Sequence, residues 1–210
     1  ANMNEVMRLV EIHESVSGTG PGYKHKVEIL NKSAIVLLIA CWESFVEDLA
    51  VTAFDALLRK AKDPFIFPYT VLVHASKKLR EDKDERKVWD LAADGWKKVL
   101  KEYEDNALDE FVNKLNNPSP PQVNDLFEKL IGIKHISSNW HWKAMPNNGA
   151  IRHLERLIHL RGSIAHKVKT RQKVTKGDVK NAAEFIQRMA VISSNRVSTF
   201  IADHTKKLPW

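Results

Sequence analysis

Apolar residues recur at three- and four-residue steps along most of the chain, and few segments alternate with period two. That is the signature of helices rather than strands. The most sustained stripe runs from Tyr23 to about Lys62, where Val27, Leu30, Ala34, Leu37, Leu38, Cys41, Phe45, Leu49, Ala53 and Leu57 share one broad face with no internal Gly or Pro. It predicts a long core helix, entered after the breaker GTGPG (18–22) and ended before Pro64. A shorter helix is expected from about Asn4 to Ser15.

The middle is heavily charged in both signs, as exposed helices are, and Leu79, Val88, Trp89, Leu91, Trp96, Val99, Leu100 and Tyr103 are its candidate apolar face. The Pro-rich NNPSPPQ (116–122) reads as a loop, VNDLFEKLIGI as a short helix closed by Gly132, and ISSNWHWKAMPNNG as a loop that packs Trp140 and Trp142 over the core. A helix follows over 147–166. Thr175 and Asp178 then form a variant of the capping box, opening a last long helix to about residue 205. Its inward positions are Val179, Ala182, Ala183, Ile186, Met189, Ala190, Val197, Phe200 and Ile201. The expected fold is all-α, a single domain over 1–210. Two long helices (about 23–62 and 175–205) frame the helix at 147–166, and a helical and loop region is inserted at about 64–146.

Composition narrows the class. With 43% apolar and 28% charged residues among 210, the chain has a core to build. Cys41 is the only cysteine, which excludes an intrachain disulfide and a multi-thiolate metal site and suits a reducing cytosol. The run AIVLLIACW is too short to span a bilayer, and the N-terminal stretch lacks the pattern of a secretory signal, so no membrane association and a cytoplasmic location are expected. The net charge of +7 is concentrated: residues 151–180 hold nine Arg/Lys against Glu155 and Asp178, the whole of the excess. Such a segment attracts a polyanion or forms a solvated basic loop.

An Arg followed by four to six residues and a His occurs three times, as Arg8/His13, Arg152/His159 and Arg161/His166, where chance supplies about one. Context selects the third, which lies inside the charge excess and near a helix end. Five residues of regular helix set two positions about 140° apart, so Arg161 and His166 converge only if the helix ends or distorts between them, a break that Gly162 would help. Chemically the pair suits RNA cleavage without a metal. A neutral imidazole takes the proton of a ribose 2′-hydroxyl, an imidazolium gives one to the leaving 5′-oxygen, and a guanidinium stabilises the charge growing on the phosphorane. One His cannot be both acid and base, but a two-fold dimer would supply two. His135, His141, His153 and His159 lack the spacing of a metal site, Ser163 has no acyl-transfer context, and no cofactor motif is present.

Three segments in order, AIVLLIACWESFVEDL, FVNKLNNPSPPQVNDLFEKLIGI and LERLIHLRGSIAHK, resemble the HEPN superfamily, and within it the RiboL-PSP-HEPN group and its MAE-28990-like relatives. The resemblance implies a HEPN-like helical bundle. It also implies a metal-independent endoribonuclease, acting as a homodimer and often a toxin or effector in bacterial defence or toxin-antitoxin systems, with RNA as substrate and an antitoxin or another defence protein as a further partner. Arg161 and His166 match its motif, and Glu43 matches an acidic position facing the cleft, with a surface or structural carboxylate as the other reading. Ser163, Lys167, Lys169 and Arg171 are the candidate RNA contacts. Gly162 departs from the pattern, which has a polar residue, most often Asn, after the arginine. It keeps open a second function class, a non-catalytic RNA-binding or adaptor module.

Overall fold

A computed structural model of the chain describes residues 2–17, 27–114, 118–166 and 173–206. Every regular element among them is helical: α1 (Asn2–Ser17), α2 (Glu28–Lys60), α3 (Tyr69–Ala75), α4 (Lys77–Arg80), α5 (Gly95–Lys114), α6 (Pro120–Ile131), α7 (Asn147–His166) and α8 (Lys176–Thr205), with short 3-10 turns at Pro64–Ile66, Glu85–Leu91 and Ile136–Asn139. Extended pairing is confined to one isolated bridge between Trp142 and Met145. The fold is the all-α one that the periodicity predicts.

The described residues form two compact units, and α2 and α8 contribute to both. The first unit takes in α1, the start of α2, α7 and the first part of α8. Its core is built around Trp42, with Ala34, Ile35, Leu38 and Ile39 from α2, Leu154 from α7, and Val179, Ile186 and Met189 from α8, all buried. Burying an indole requires an acceptor for its N–H, and the Pro118 carbonyl accepts it at 3.3 Å. Phe45 stacks on Trp42 and Trp140 meets it edge-on, both at 5.7 Å. Trp140 is fully buried, and Trp142 packs on Phe185 at 5.9 Å, so both serve as packing residues.

On α2 the buried positions include Ala34, Ile35, Leu38, Ile39 and Trp42, whereas Leu30, Leu37, Cys41 and Phe45 of the expected stripe are only half-buried. The stripe's axis is therefore rotated by roughly one residue, because the bulk of Trp42 sets the centre of the buried face. The start of α8 matches its predicted cap. The Asp178 carboxylate accepts from the Thr175 backbone N–H (2.8 Å) and hydroxyl (2.7 Å), and the Asp178 N–H donates back to the Thr175 hydroxyl at 3.2 Å. Just before it, buried Asn31 of α2 donates its side-chain amide to the Val174 carbonyl at 2.9 Å. This ties the entry of α8 to α2.

The second unit contains the rest of α2, α3 to α5, most of α6 and the end of α8. Phe54 packs on Phe67 at 5.1 Å, and the Tyr103 hydroxyl of α5 donates to the Lys129 carbonyl of α6 at 2.9 Å. Gly132 closes α6 with φ +77, and a Cβ there would meet Pro68 Cβ at 2.7 Å, so both backbone and space require glycine. Glu104 has no exposed surface. Lys101 lies 2.5 Å from its carboxylate and 3.0 Å from Asp55.

Two expectations are corrected here. Pro120 and Pro121 are the first residues of α6 rather than loop, because proline's fixed φ and missing N–H fit a helix's first turn. Val88, Trp89 and Leu91 are exposed on a 3-10 turn embedded in charged sequence, so the apolar face of this region rests on Trp96 and Leu100 instead. Replacing Thr175 by Ala removes half of the cap and is expected to destabilise the chain by about 1 kcal/mol. A double-mutant cycle with Asp178→Ala, read by denaturant unfolding, should give strongly non-additive losses.

Candidate active site

The site is built on the last turns of α7. Leu154, Leu157 and Ile158 are buried, and Arg161, four residues beyond Leu157 and three beyond Ile158, continues the same face. The residue is thereby carried toward the core side and is half-buried. A cation drawn out of water needs an opposite charge. Glu43 on α2 supplies one, in electrostatic interaction with Arg161. Burial pushes the Glu43 carboxyl above its ordinary pKa, and Arg161 pulls it partly back. The order of those two causes means that desolvation outweighs the attraction. Two site residues separated by more than a hundred positions in sequence are thus brought together, next to Trp42.

Gly162 does not break the helix. α7 runs unbroken to His166, its last residue, so within one chain the positions of Arg161 and His166 stay about 140° apart around the axis. This corrects the expectation of a distortion: a lone glycine weakens a helix without ending it. Nothing lies within 4 Å of where a Cβ on Gly162 would be, so the missing side chain is not imposed by crowding. Ser163 is half-buried and sits about 200° around α7 from Arg161. The side chain of His166, together with Lys167, Lys169 and Arg171, lies outside the described residues.

The basic excess is partly compensated locally. Glu14 of α1 lies 3.0 Å from Lys176 and 3.2 Å from Lys180, and hydrogen bonds from these two lysines hold its carboxyl below the usual range. Arg156 Nη2 is 3.2 Å from His153 Nδ1. His153 and Arg156 form an i, i+3 pair on α7, with the histidine first and at a shorter spacing than an Arg followed by four to six residues and a His. No group of three or more His, Cys, Asp or Glu suited to a metal ion occurs among the described residues, and among them no helix is long and apolar enough to cross a membrane.

The family model described as RiboL-PSP-HEPN matches residues 2–198. No curated protein and no solved structure matches the chain.

Because burial favours the protonated Glu43 carboxyl, the folded chain holds that proton to higher pH than the unfolded chain does, and stability falls as pH rises through the window above the ordinary carboxylate value. Glu43→Gln removes this loss: its Tm should exceed the parent's near pH 7, and the gap should close as pH falls to about 4. A Tm below the parent's near neutrality would mean that attraction to Arg161 dominates. Gly162→Ala, which fills open space on a regular helix, is expected to stabilise by about 0.5 kcal/mol in denaturant unfolding.

Proposed function

The chain belongs to the RiboL-PSP-HEPN family, and on that premise we propose that it is a metal-independent endoribonuclease whose active site is completed by a second copy of the chain. The observation that carries this reading is the placement of Arg161: half-buried at the end of α7 and in electrostatic contact with Glu43. A guanidinium held in partial desolvation exerts a stronger field on a phosphoryl group than a fully solvated one. Glu43 interacts with Arg161 electrostatically, while burial raises the pKa of that carboxyl.

In the proposed reaction the neutral imidazole of one His166 takes the proton of a ribose 2′-hydroxyl. The 2′-oxygen attacks phosphorus, the bond to the 5′-oxygen breaks, and a protonated imidazole gives that oxygen its proton. The products are a 2′,3′-cyclic phosphate and a 5′-hydroxyl end, with no water or metal consumed. Arg161 stabilises the phosphorane charge. The unbroken helix between positions 161 and 166 favours a composite site, because two motifs facing each other across a two-fold axis offer each arginine a histidine from the other chain. Ser163, Lys167, Lys169 and Arg171 are proposed as RNA contacts, the whole chain as one HEPN-type domain, and a toxin or effector role in a bacterial defence or toxin-antitoxin system as its setting. An antitoxin or other defence protein is its proposed partner and the cytoplasm its proposed location.

Gly162 favours one other reading, a binding module. The position that carries a polar side chain in the family pattern carries none, although the space for it is open. The two readings separate in a single assay. With EDTA present, the parent should cut RNA, and His166→Ala should lower the rate by roughly 10²–10⁴-fold while binding persists. Cleavage at the parental rate by His166→Ala excludes the proposed chemistry, and RNA binding that weakens steeply with salt in a parent that never cuts supports the module.

A further inference from the structure

Within the second unit a cavity of about 430 Å³ opens between α3, α5 and the segment that follows α2, a volume suited to one small ligand. Most of its wall is apolar, from Pro64, Leu72, Ala75, Trp96, Val99 and Leu100. Leu91, left exposed on its 3-10 turn, stands on the same wall. The wall is fixed by the backbone. Ala93, also on it, has φ 50, in the left-handed region that residues with a side chain seldom adopt. Gly95 lets α5 start against the Asp90 carbonyl, where a Cβ would collide. Trp96 is buried, and Lys97 Nζ stands 5.3 Å from the centre of its ring while pairing with Asp94 at 3.0 Å.

The polar groups of the wall are few, and two of them carry opposite charge. Lys62 and Asp63 are consecutive, both line the cavity and both are exposed, yet no ion pair joins them, and Lys62 forms none with any other described residue. One Asp63 oxygen accepts the Phe65 N–H at 2.9 Å, which leaves the second as an acceptor. The Ser76 hydroxyl is taken up by the Leu72 carbonyl at 2.8 Å. The Trp96 indole N–H donates to no described residue, although a buried indole normally finds an acceptor. An apolar hollow is thus bordered by one ammonium, one carboxylate and one unanswered N–H.

We propose that this cavity binds a free apolar amino acid. Its side chain fills the hollow against Leu72, Val99 and Leu100, its carboxylate is drawn to Lys62 and the Trp96 N–H, and its ammonium to Asp63. A ligand with one charge would satisfy one of the two neighbours and be repelled by the other, whereas a zwitterion satisfies both. All of these residues belong to the second unit, and the proposal does not depend on the ribonuclease reading.

Calorimetric titration of the full chain with L-phenylalanine, with 3-phenylpropionate, which lacks the ammonium, and with phenethylamine, which lacks the carboxylate, tests it. Phenylalanine should bind best, and glycine, which has no side chain to bury, should not bind. Lys62→Gln should weaken phenylalanine and 3-phenylpropionate by roughly fivefold without weakening phenethylamine. Asp63→Asn, which keeps an acceptor for the Phe65 N–H, should weaken phenylalanine and phenethylamine by the same factor without weakening 3-phenylpropionate. Lys83→Gln, exposed and outside the cavity, should change nothing. If the parent binds phenylalanine no better than glycine, or if Lys62→Gln and Asp63→Asn bind all three ligands as Lys83→Gln does, the proposal is overturned. The readout is equilibrium binding of a small molecule, so a chain that cuts no RNA would still give it.

Discussion

Trp42 has to be buried whole, and its indole N–H has to be answered. Those two demands set the rotation of α2, because a ring of that size reaches both the Pro118 carbonyl and the Trp140 edge in one orientation of the helix. Residue 43 then falls about 100° around the axis, at the margin of the buried face. A carboxylate at the margin is neither fully solvated nor fully enclosed, which is the condition under which it feels both desolvation and Arg161. The electrostatics of the candidate site are in this sense a by-product of packing an aromatic core. A change at Trp42 would reach Arg161 without touching it.

The same logic explains what could be read from the chain and what could not. Periodicity located α7 and α8 nearly to the residue, and Thr175 with Asp178 announced the start of α8, because these signals are local. The rotation of α2 was not local. Leu30, Leu37, Cys41 and Phe45 fit the stripe as well as Ile35 and Ile39 do, and only partners from distant sequence decide which set is enclosed. Val88, Trp89 and Leu91 misled for the opposite reason: apolar residues need a surface to pack on, and sequence spacing does not show whether one arrives. At the site, Arg161 was a candidate from its spacing to His166 and the charge around it, and Glu43 through family resemblance alone. Their proximity follows from how α2 and α7 meet, which no spacing within either helix encodes.

Charge also reads differently in three dimensions. The excess between residues 151 and 180 looked like one uniform attractor for anions, but Glu14 answers Lys176 and Lys180 from a helix at the other end of the chain. The field that remains is structured. Arg161 interacts electrostatically with Glu43, while the Arg156 guanidinium lies 3.2 Å from the His153 ring nitrogen. Cations in these two settings differ in how much water they keep, and so in how strongly salt should screen them.

Gly162 carries a practical consequence. Cys41 is the one native thiol, it is half-buried, and burial pushes its pKa upward, so little of it is the reactive thiolate near neutrality. A cysteine introduced at position 162 would stand in open space beside Arg161 and would react first with a maleimide or a spin label. A pair of chains so labelled becomes its own ruler: the distance between two probes reports directly how closely the ends of two α7 helices approach, whatever the chain does to RNA.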